Sequence, residues 1–423
     1  MLQRDFYMQQ IINNMWNGDI KIITGIRRCG KSILLFDLFY EHLIKSGVKQ
    51  ENIIKIELDQ RRCYKFRNPI VLCEYIESIV QNSPERFYAF IDEVQLSEKI
   101  KDVENGNIEV SIYDMLNELK AYKNLDVYVT GSNSKMLSKD VATEFRGRAT
   151  QIRIYPLSFE EYYSAIGGDA QKALEYYMLY GGMPHLLQKQ SERDKKIYLS
   201  SLYKEVYIID IVERNKIQRE DLLNEVLNLL ASQVGSLTNP TNVANTIASV
   251  KKERVNPAMI SSYIEHTEDA FLISEAKRYD IKGKTYFSYP NKYYYVDIGL
   301  RNARLNYRQF DAGHIMENII YNELIRRGYS VDVGVVVDRR NGVSKQKEID
   351  FVVNDGDRKI YIQSALRMDE DKKENAELDS LKLTKDFFKK IIIRTDIPHN
   401  YFDKDGILHC NLIDFLLDKV EIF

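Results

Sequence analysis

Two kinds of hydrophobic pattern alternate along the first 157 residues of the chain. Short, nearly continuous apolar runs are typical of strands buried on both faces, and apolar residues three or four positions apart are typical of amphipathic helices. The predicted strands are residues 19–25, 52–58, 86–94, 125–132 and 151–157, and the helices between them include residues 31–47, 69–80 and 114–123. This alternation predicts an α/β fold with a parallel sheet covered by helices.

The pattern changes at Ser158, where helical spacing replaces the alternation. Helices continue to about residue 230, with an interruption at Gly181, Gly182 and Pro184. Two helices and a hairpin follow in the order of a winged helix-turn-helix, and the last segment predicts a helix, three strands, a helix and a strand. We expect an α/β core (1–165), a helical segment (166–230), a winged helix-turn-helix (231–305) and a C-terminal α/β domain (306–423).

The composition narrows the function classes without selecting one. The 423 residues include 60 Lys and Arg against 62 Asp and Glu, which excludes a protein that coats nucleic acid through overall basicity but allows a local basic patch. No apolar run reaches about 18 residues and the start lacks a signal-peptide pattern, so we expect no membrane partner. The four cysteines form no CxxC pair and the histidines show no zinc spacing, which favours a reducing, cytoplasmic setting.

A glycine-rich loop between the first strand and the first core helix carries the clearest chemistry. Residues 25–32, GIRRCGKS, match the phosphate-binding pattern GxxxxGK[ST] in the strand–loop–helix context that the pattern requires. Backbone N–H groups and the helix N-terminus face the phosphates, Lys31 reaches the β/γ-phosphates and Ser32 binds Mg²⁺. The expected nucleotide-binding residues are Gly25, Ile26, Arg27, Arg28, Cys29, Gly30, Lys31, Ser32 and Ile33.

An acidic pair follows the third predicted strand. Asp92 lies at the carboxyl edge of the sheet, where its carboxylate can hold Mg²⁺, and Glu93 can orient and deprotonate the attacking water. Together with the phosphate-binding loop, this pair favours ATP hydrolysis over storage of a nucleotide. We therefore expect ATP and Mg²⁺ as cofactors.

Two further groups are candidates for contacts with the γ-phosphate. Ser132, and after it Asn133, ends the fourth predicted strand and can position water or sense the phosphate, although ordinary loop capping explains these residues equally well. Arg146 and Arg148 flank Gly147 in a loop that can project into a neighbouring active site, with a solvated basic loop as the alternative. The sequence does not distinguish which of the two is the arginine finger, the side chain that stabilises charge on the γ-phosphate. An arginine finger that acts in trans requires a homo-oligomer.

These motifs together resemble a known family. GIRRCGKS, FIDEVQ, VTGSNSKML, FRGR, YPLSFEEY and YGGMP are similar to those of bacterial and archaeal AAA-type ATPases of the archaeal-ATPase-like clade, which carry a C-terminal domain of unknown function. The resemblance continues through RYDIKGKTYF, KYYYVDIGLRNARLN, ENIIYNELIRRGY and KEIDFVV, and so covers nearly the whole chain. It implies a P-loop AAA-type core with a helical lid that begins at YGGMP, although a helix-breaking turn explains that motif equally well. Phe145 stands where the family typically has Leu.

The predicted hairpin concentrates positive charge. Residues 277–292 contain five basic residues against Asp280 alone, a net charge of +4, interleaved with aromatic residues. We expect the basic residues to contact DNA phosphates, and they are Lys277, Arg278, Lys282, Lys284 and Lys292. The preceding helix offers serines and a histidine but no Lys or Arg, so we expect contacts with the DNA backbone and not with base edges. A protein–protein module is the alternative.

The order of elements in the C-terminal segment matches a restriction-endonuclease-like core. In such a core the residues equivalent to Glu317, Asp350 and Gln363 line the metal site, but Ala365 stands where a catalytic lysine is expected. Without that cation, and with an amide in place of a carboxylate, we expect a degenerate nuclease fold that serves binding or assembly and does not cleave DNA.

The sequence thus predicts an AAA-type ATPase that couples its nucleotide cycle to DNA as an oligomer. The alternative is a nucleotide-dependent switch or scaffold that acts on a protein partner. A metal-dependent nuclease is the third and weakest reading.

Overall fold

The computed structural model describes residues 4–102, 107–132, 149–288, 290–339, 344–368 and 378–423. The chain divides into two compact units. The first comprises residues 1–155 and 269–271, and the second comprises residues 156–268 and 272–423. Among the described residues, none of the helices is both long and apolar enough to cross a membrane. The sequence predicts four domains where the structure separates two units, so the boundaries of the four domains stay predictions.

The first unit is built on a five-stranded parallel sheet. Its helices are α1 (Asp5–Asn13), α2 (Lys31–Ile33), α3 (Tyr40–Lys45), α4 (Pro69–Val80) and α5 (Ile112–Leu119), with a π-helical segment, Leu34–Phe39, joining α2 to α3. Its strands are β1 (Ile20–Gly25), β2 (Ile53–Glu57), β3 (Phe87–Asp92), β4 (Ile100–Asp102), β5 (Ile108–Val110), β6 (Leu125–Gly131) and β7 (Ala149–Ile154). The sheet order is β2-β3-β6-β1-β7, and β4 and β5 form a separate antiparallel pair. The predicted parallel α/β sheet is confirmed.

The three central strands explain why the sequence pattern was so clear. Every residue of β1, β3 and β6 is buried, as expected for strands covered on both faces. The parallel register pairs Thr24 with Gly131 and Glu57 with Asp92, so the carboxyl ends of neighbouring strands meet at one edge of the sheet. Side chains just beyond those ends are therefore brought together there.

The second unit combines helices with an eight-stranded sheet. Its helices are α6 (Phe159–Ile166), α7 (Ala170–Tyr180), α8 (Glu192–Ser201), α9 (Ile209–Asn215), α10 (Glu220–Ser232), α11 (Pro240–Lys251), α12 (Pro257–Asp269), α13 (Ile298–Arg304), α14 (Ala312–Arg326) and α15 (Leu412–Leu416). Its strands are β8 (Ile273–Ala276), β9 (Arg278–Asp280), β10 (Thr285–Tyr286), β11 (Lys292–Tyr295), β12 (Ser330–Asp338), β13 (Lys345–Asp355), β14 (Arg358–Ala365), β15 (Lys389–Arg394), β16 (Tyr401–Phe402) and β17 (Leu408–Asn411).

The predicted hairpin is divided between two sheets. Strands β8 and β11 pair with each other in a small antiparallel sheet, while β9 and β10 form the tip of the hairpin. Strand β9 also pairs in parallel with β12, so the tip is continuous with the large sheet, whose order is β10-β9-β12-β13-β14-β15-β17-β16. The hairpin is therefore an edge of the C-terminal sheet and does not project freely.

Close backbone packing explains the glycines of the YGGMP motif. A Cβ on Gly181 would lie 2.4 Å from Oδ1 of Asp297, and a Cβ on Gly299 would lie 1.8 Å from the Tyr180 carbonyl oxygen. The Asp297 carboxylate accepts hydrogen bonds from the N–H of Gly182 (2.7 Å) and of Leu300 (3.0 Å), which caps α13. Burial raises the pKa of Asp297 to about 6, although these hydrogen bonds oppose the rise. The motif is thus a packing site between α7 and α13.

Helix α13 links three other segments through buried polar side chains. Arg301 is 1% exposed, and its guanidinium donates to the carbonyl oxygens of Ala231 (2.8 Å) and Gln309 (2.6 Å). Asn302 donates to the carbonyl oxygens of Met178 (2.9 Å) and Leu179 (3.0 Å) at the end of α7. Because buried carbonyl groups must be satisfied, this helix ties α7 and α10 together.

Candidate nucleotide-binding site

The loop between β1 and α2 has the backbone of a phosphate-binding turn. Gly25 has a φ of 144°, and a Cβ on it would lie 2.1 Å from the Ile154 carbonyl oxygen of β7. Gly30 has a φ of 101° at the start of α2, and Arg28 also adopts a positive φ, of 66°. Gly25 is required because its contact with β7 leaves no room for a side chain, and Gly30 is favoured because its positive φ strains any residue with a Cβ.

Lys31 lies within this turn. Its side chain is buried, and its Nζ donates to the carbonyl oxygens of Gly25 (3.1 Å) and Ile26 (3.2 Å). Arg27 and Arg28 are exposed, while Cys29 is buried, and burial raises the pKa of its thiol. The loop thus holds one ammonium group inward and two guanidinium groups outward.

Ser32, Asp92 and Thr130 meet at the carboxyl edge of the sheet. The Ser32 hydroxyl donates to Oδ2 of Asp92 at 2.8 Å, and the Thr130 hydroxyl donates to Oδ1 of the same carboxylate. Burial raises the pKa of Asp92, and the two hydroxyl hydrogen bonds oppose the rise. A hydroxyl and a carboxylate at hydrogen-bonding distance form the donor set that Mg²⁺ uses in P-loop enzymes, so these residues fit the ion.

Glu93 and Ser132 are joined by a residue that the sequence analysis did not select. Glu93 has a left-handed backbone (φ 55°), and its N–H donates to the Thr130 hydroxyl at 3.1 Å. The Gln95 amide donates to the Glu93 carboxylate and to Oγ of Ser132, the latter at 3.2 Å. The predicted base and the predicted phosphate sensor therefore lie on either side of one amide group. Gln95 belongs to the FIDEVQ motif, but its spacing alone gave no reason to choose it.

Arg4 supports the loop from outside. Its guanidinium donates to the carbonyl oxygens of Cys29 (3.2 Å) and Tyr155 (2.7 Å) and lies 4.6 Å from the ring centroid of Tyr7. The side chain connects the phosphate-binding loop to the end of β7. A single arginine before the first helix carries no sequence signal for this role.

Comparison with known proteins agrees with this geometry. A family described as an AAA domain matches residues 17–163. Two families described as domains of unknown function match residues 171–311 and 312–410. An uncharacterised protein of Haemophilus influenzae is 34% identical over 422 residues, which cover 99% of each chain.

The chain belongs to the same family as this Haemophilus protein, and its residues 17–163 match the AAA domain. The uncharacterised protein MJ1544 of Methanocaldococcus jannaschii is 29% identical over 397 residues, covering 88% of this chain and 79% of that protein. The structure of the Aeropyrum pernix Orc1 protein in complex with DNA aligns with 74% of this chain and 94% of its own at 10% identity, with a TM-score of 0.30. A TM-score of this size does not establish a shared fold.

Three of the predicted site residues of this AAA-domain protein lie outside the described residues. They are Asn133, Arg146 and Arg148. Their roles as phosphate sensor and arginine finger stay predictions, as does the oligomer that a finger in trans requires.

The three predicted nuclease-like residues come together in the second unit, around a lysine. Gln363 Oε1 accepts from the N–H of Asp350 at 3.2 Å. Lys292 Nζ lies 2.8 Å from Oε1 of Glu317, 2.7 Å from Oε1 of Glu348 and 3.7 Å from Oδ1 of Asp350. The sequence analysis missed Glu348 as a member, and Lys292 was assigned elsewhere.

Two of the five expected DNA-contacting residues are corrected by their burial. Lys292 is 3% exposed and bound to carboxylates, because β11 packs against α14 and β13. Arg278 is 9% exposed, with its guanidinium bonded to Gln346 at 3.1 Å. Neither side chain is available to a DNA phosphate. Lys277, Lys282 and Lys284 are exposed at the tip of the hairpin.

Proposed function

We propose that this AAA-domain protein hydrolyses ATP with Mg²⁺. The observation that carries the proposal is the meeting of Ser32, Asp92 and Thr130 beside Glu93 at the carboxyl edge of the sheet. The Lys31 ammonium and the loop N–H groups would bind the β- and γ-phosphates, and Ser32 and Asp92 would hold the metal. When bound, Mg²⁺ neutralises charge on the phosphate oxygens.

Glu93 is the proposed general base. Its carboxylate accepts from Gln95, whose amide also reaches Ser132, so the group that orients water and the group that contacts the γ-phosphate are connected. The left-handed backbone at Glu93 turns this side chain away from the strand direction, and strained residues of this kind often lie at active sites. Ser132 is the proposed phosphate sensor, with Asn133 as the alternative.

ATP turnover of the full chain and of Lys31→Ala tests the ATPase proposal. We expect the variant to lose at least about 100-fold in turnover, because one positioned cationic or hydrogen-bond donor supplies that much of the rate in comparable sites. Exposed Lys45 on α3 provides the control substitution, Lys45→Ala, which should leave turnover unchanged. Equal turnover by Lys31→Ala and the wild type would contradict the proposal.

We further propose that the second unit contacts DNA through a winged helix-turn-helix. Helices α10, α11 and α12 precede the antiparallel pair β8 and β11. Thr238, between α10 and α11, forms an isolated antiparallel bridge with Asn291, the residue just before β11. This order of helices and strands supports the proposal. The contacts would come from the exposed Lys277, Lys282 and Lys284, and they would be directed at phosphates.

Duplex DNA binding at several salt concentrations tests this second proposal. A triple alanine variant of Lys277, Lys282 and Lys284 should flatten the slope of log K against log salt by up to about 2.7, because each phosphate contact contributes about 0.9. Alanine at three exposed lysines elsewhere in the unit, Lys172, Lys204 and Lys404, gives the matched control. Equal slopes for the two triple variants would contradict DNA contact by the hairpin.

A protein partner is the alternative for this region, and one observation favours it. Helix α12 carries no Lys or Arg, and its side chain Met259 is 39% exposed. If a nuclease-treated pull-down recovers a stoichiometric protein and duplex binding is insensitive to salt, the nucleotide-dependent switch replaces the DNA-coupled ATPase.

We propose that the enzyme acts as a homo-oligomer with Arg146 or Arg148 as a finger acting in trans. Mixing an Arg146→Ala/Arg148→Ala variant with Lys31→Ala tests this arrangement, because each protein would supply the part that the other lacks. ATP turnover in the mixture above that of the two separate variants supports the arginine finger in trans. A mixture that is no more active than the separate variants contradicts it.

The C-terminal domain is proposed to be a restriction-endonuclease-like fold that serves binding or assembly. Helix α14 precedes three strands, and β14 pairs in parallel with β15, which supports that architecture. Lys292 places an ammonium group among Glu317, Glu348 and Asp350, where a nuclease would hold its metal. Mg²⁺-dependent cleavage of DNA by the wild type, abolished in Asp350→Ala, would contradict this assignment.

A further inference from the structure

A dense group of basic residues follows β2 in the first unit. The basic segment, Arg61–Arg67, is a 3₁₀-helix in which four of seven residues are Lys or Arg and none is acidic. Cys63 and Phe66 are buried in the core of the unit. Arg61, Arg62, Tyr64 and Lys65 are exposed, and Tyr64 is 48% exposed. Burial of Cys63 and Phe66 thus holds these four side chains at the surface, and Arg67 is partly buried.

The exposed side chains combine positive charge with an aromatic ring. The Arg67 guanidinium lies 4.0 Å from the ring centroid of Tyr64 and donates to the Leu58 carbonyl oxygen at 2.9 Å, so it supports the ring from one side. Arg62 is paired with Glu57 at 3.2 Å on the surface. Within the described part of the chain, no carboxylate pairs with Arg61 or Lys65. The Lys65 ammonium lies 4.8 Å from the ring centroid of Phe66, so two exposed cations without a carboxylate partner accompany the Tyr64 ring in the same short helix.

The C-terminal end of the basic segment, and Leu58 just before the segment, are hydrogen-bonded to the residues that follow β3. The Leu58 N–H donates to the Asp92 carbonyl oxygen at 3.3 Å. The Arg67 carbonyl oxygen accepts from Oγ of Ser97 (3.0 Å) and from the N–H of Glu98 (2.8 Å). Residues 92–98 include Asp92, Glu93 and Gln95, so the basic segment is hydrogen-bonded to the same stretch of chain that carries the proposed metal ligand and general base.

We propose that the basic segment binds a single-stranded nucleic acid and that residues 92–98 make this binding depend on the nucleotide. Arg61, Arg62 and Lys65 would contact phosphates, and Tyr64 would stack on a base. A single strand is favoured over a duplex because only an unpaired base offers its face to an aromatic ring. The inference rests on the proposed function, since it gives the ATPase a substrate contact within its own unit.

Binding of a fluorescent oligothymidine by the full-length chain, followed by anisotropy over a salt series, tests the surface. For Arg61→Ala/Lys65→Ala we expect the slope of log K against log salt to flatten by about 1.4, because each single-strand phosphate contact contributes about 0.7. For Tyr64→Ala we expect about tenfold weaker binding, and for Tyr64→Phe binding close to wild type. The control Lys45→Ala/Lys123→Ala removes two exposed lysines of the same unit and should change neither quantity.

The coupling is tested with Ser97→Ala, which removes one hydrogen bond between the two segments. We expect its strand affinity without nucleotide to equal that of the wild type, and the change in affinity on adding a non-hydrolysable ATP analogue to be smaller. An unchanged response to the analogue would overturn the coupling.

Several results would overturn the binding surface itself. They are absent strand binding by the wild type at low salt, an unaltered slope for Arg61→Ala/Lys65→Ala, and a Tyr64→Ala variant that binds normally. If Tyr64→Ala binds normally while the slope flattens for Arg61→Ala/Lys65→Ala, the surface would be assigned to an acidic protein instead of a nucleic acid. Binding of the single strand is measured without nucleotide, so its absence does not depend on whether the protein hydrolyses ATP. The hairpin lysines are unchanged in these variants, so the result is also separate from the test of duplex binding.

Discussion

Replacement of Lys292 by methionine removes a buried charge while keeping most of the aliphatic volume of the side chain. In the folded chain the Lys292 ammonium bonds to Glu317 and Glu348 and lies 3.7 Å from Asp350. Glu317 and Asp350 are each 8% exposed. The Lys292→Met variant would therefore leave two buried carboxylates and a third, partly buried one without a cation.

The expected cost follows from this burial. Removal of one partner from a buried ion pair costs about 3–5 kcal/mol, because the remaining charge is neither solvated nor paired. Burial alone would lower the pKa of Lys292, but the carboxylates of Glu317, Asp350 and Glu348 raise it overall. Burial, followed by the charge of Glu317, raises the pKa of Asp350 well above its usual value. Three carboxylates surround a single ammonium group, so negative charge is in excess in this cluster.

The same shifts predict how the cost depends on pH. A carboxylate whose pKa is raised by folding binds a proton more tightly in the folded state, so lowering the pH towards about 4 stabilises the folded state. Each unit of raised pKa contributes about 1.4 kcal/mol. Without the charge of Lys292, which lowers the pKa of Asp350, that pKa rises further, so the variant should lose more stability at pH 8 than at pH 5.

Urea unfolding followed by far-UV circular dichroism measures the effect. Lys292→Met is compared with the wild type and with Lys277→Met, which removes an exposed charge from the same hairpin. We expect Lys277→Met to change the unfolding free energy by less than about 0.5 kcal/mol. A deficit for Lys292→Met below about 1 kcal/mol at pH 8, or equal deficits at pH 5 and pH 8, would refute the reasoning.

Three further substitutions test the structure and the site. Glu93→Gln should bind ATP normally but release phosphate at least about 100-fold more slowly, since a general base contributes that much, and normal release would exclude Glu93 as the base. Asp126→Ala leaves Lys21, which is fully buried and bonded to Asp126, as an unpaired ammonium, and should lose about 3–5 kcal/mol in denaturant unfolding at pH 7. Burial lowers the pKa of Lys21, so that deficit should shrink at pH 9.5, and a pH-independent deficit would contradict the explanation. Gly299→Ala would place a Cβ 1.8 Å from the Tyr180 carbonyl oxygen and should lower the unfolding free energy by about 1–3 kcal/mol, whereas unchanged stability would show that the α7–α13 contact is not tight.

The local sequence was sufficient to predict the parallel sheet and the phosphate-binding loop. Strands β1, β3 and β6 are buried throughout, so their sequences are mostly apolar and easily recognised, although β1 contains Lys21 and β6 contains its partner Asp126. The loop needs two glycines, a lysine and a hydroxyl at fixed spacing, and all of them lie within eight consecutive residues. Both features depend on neighbours along the chain, which a sequence displays directly.

The contacts of Thr130, Gln95 and Lys292 were decided by the tertiary structure. Register pairs Ile91 with Val129, which brings the residues that follow them, Asp92 and Thr130, side by side across two strands. Lys292 was expected at a basic surface, because the local pattern around it is a run of cations and aromatic rings. Its environment comes instead from α14 and β13, far along the chain. A sequence shows which charges are present, but burial and pairing depend on which distant segments fold against them, because solvation and Coulomb attraction act through space.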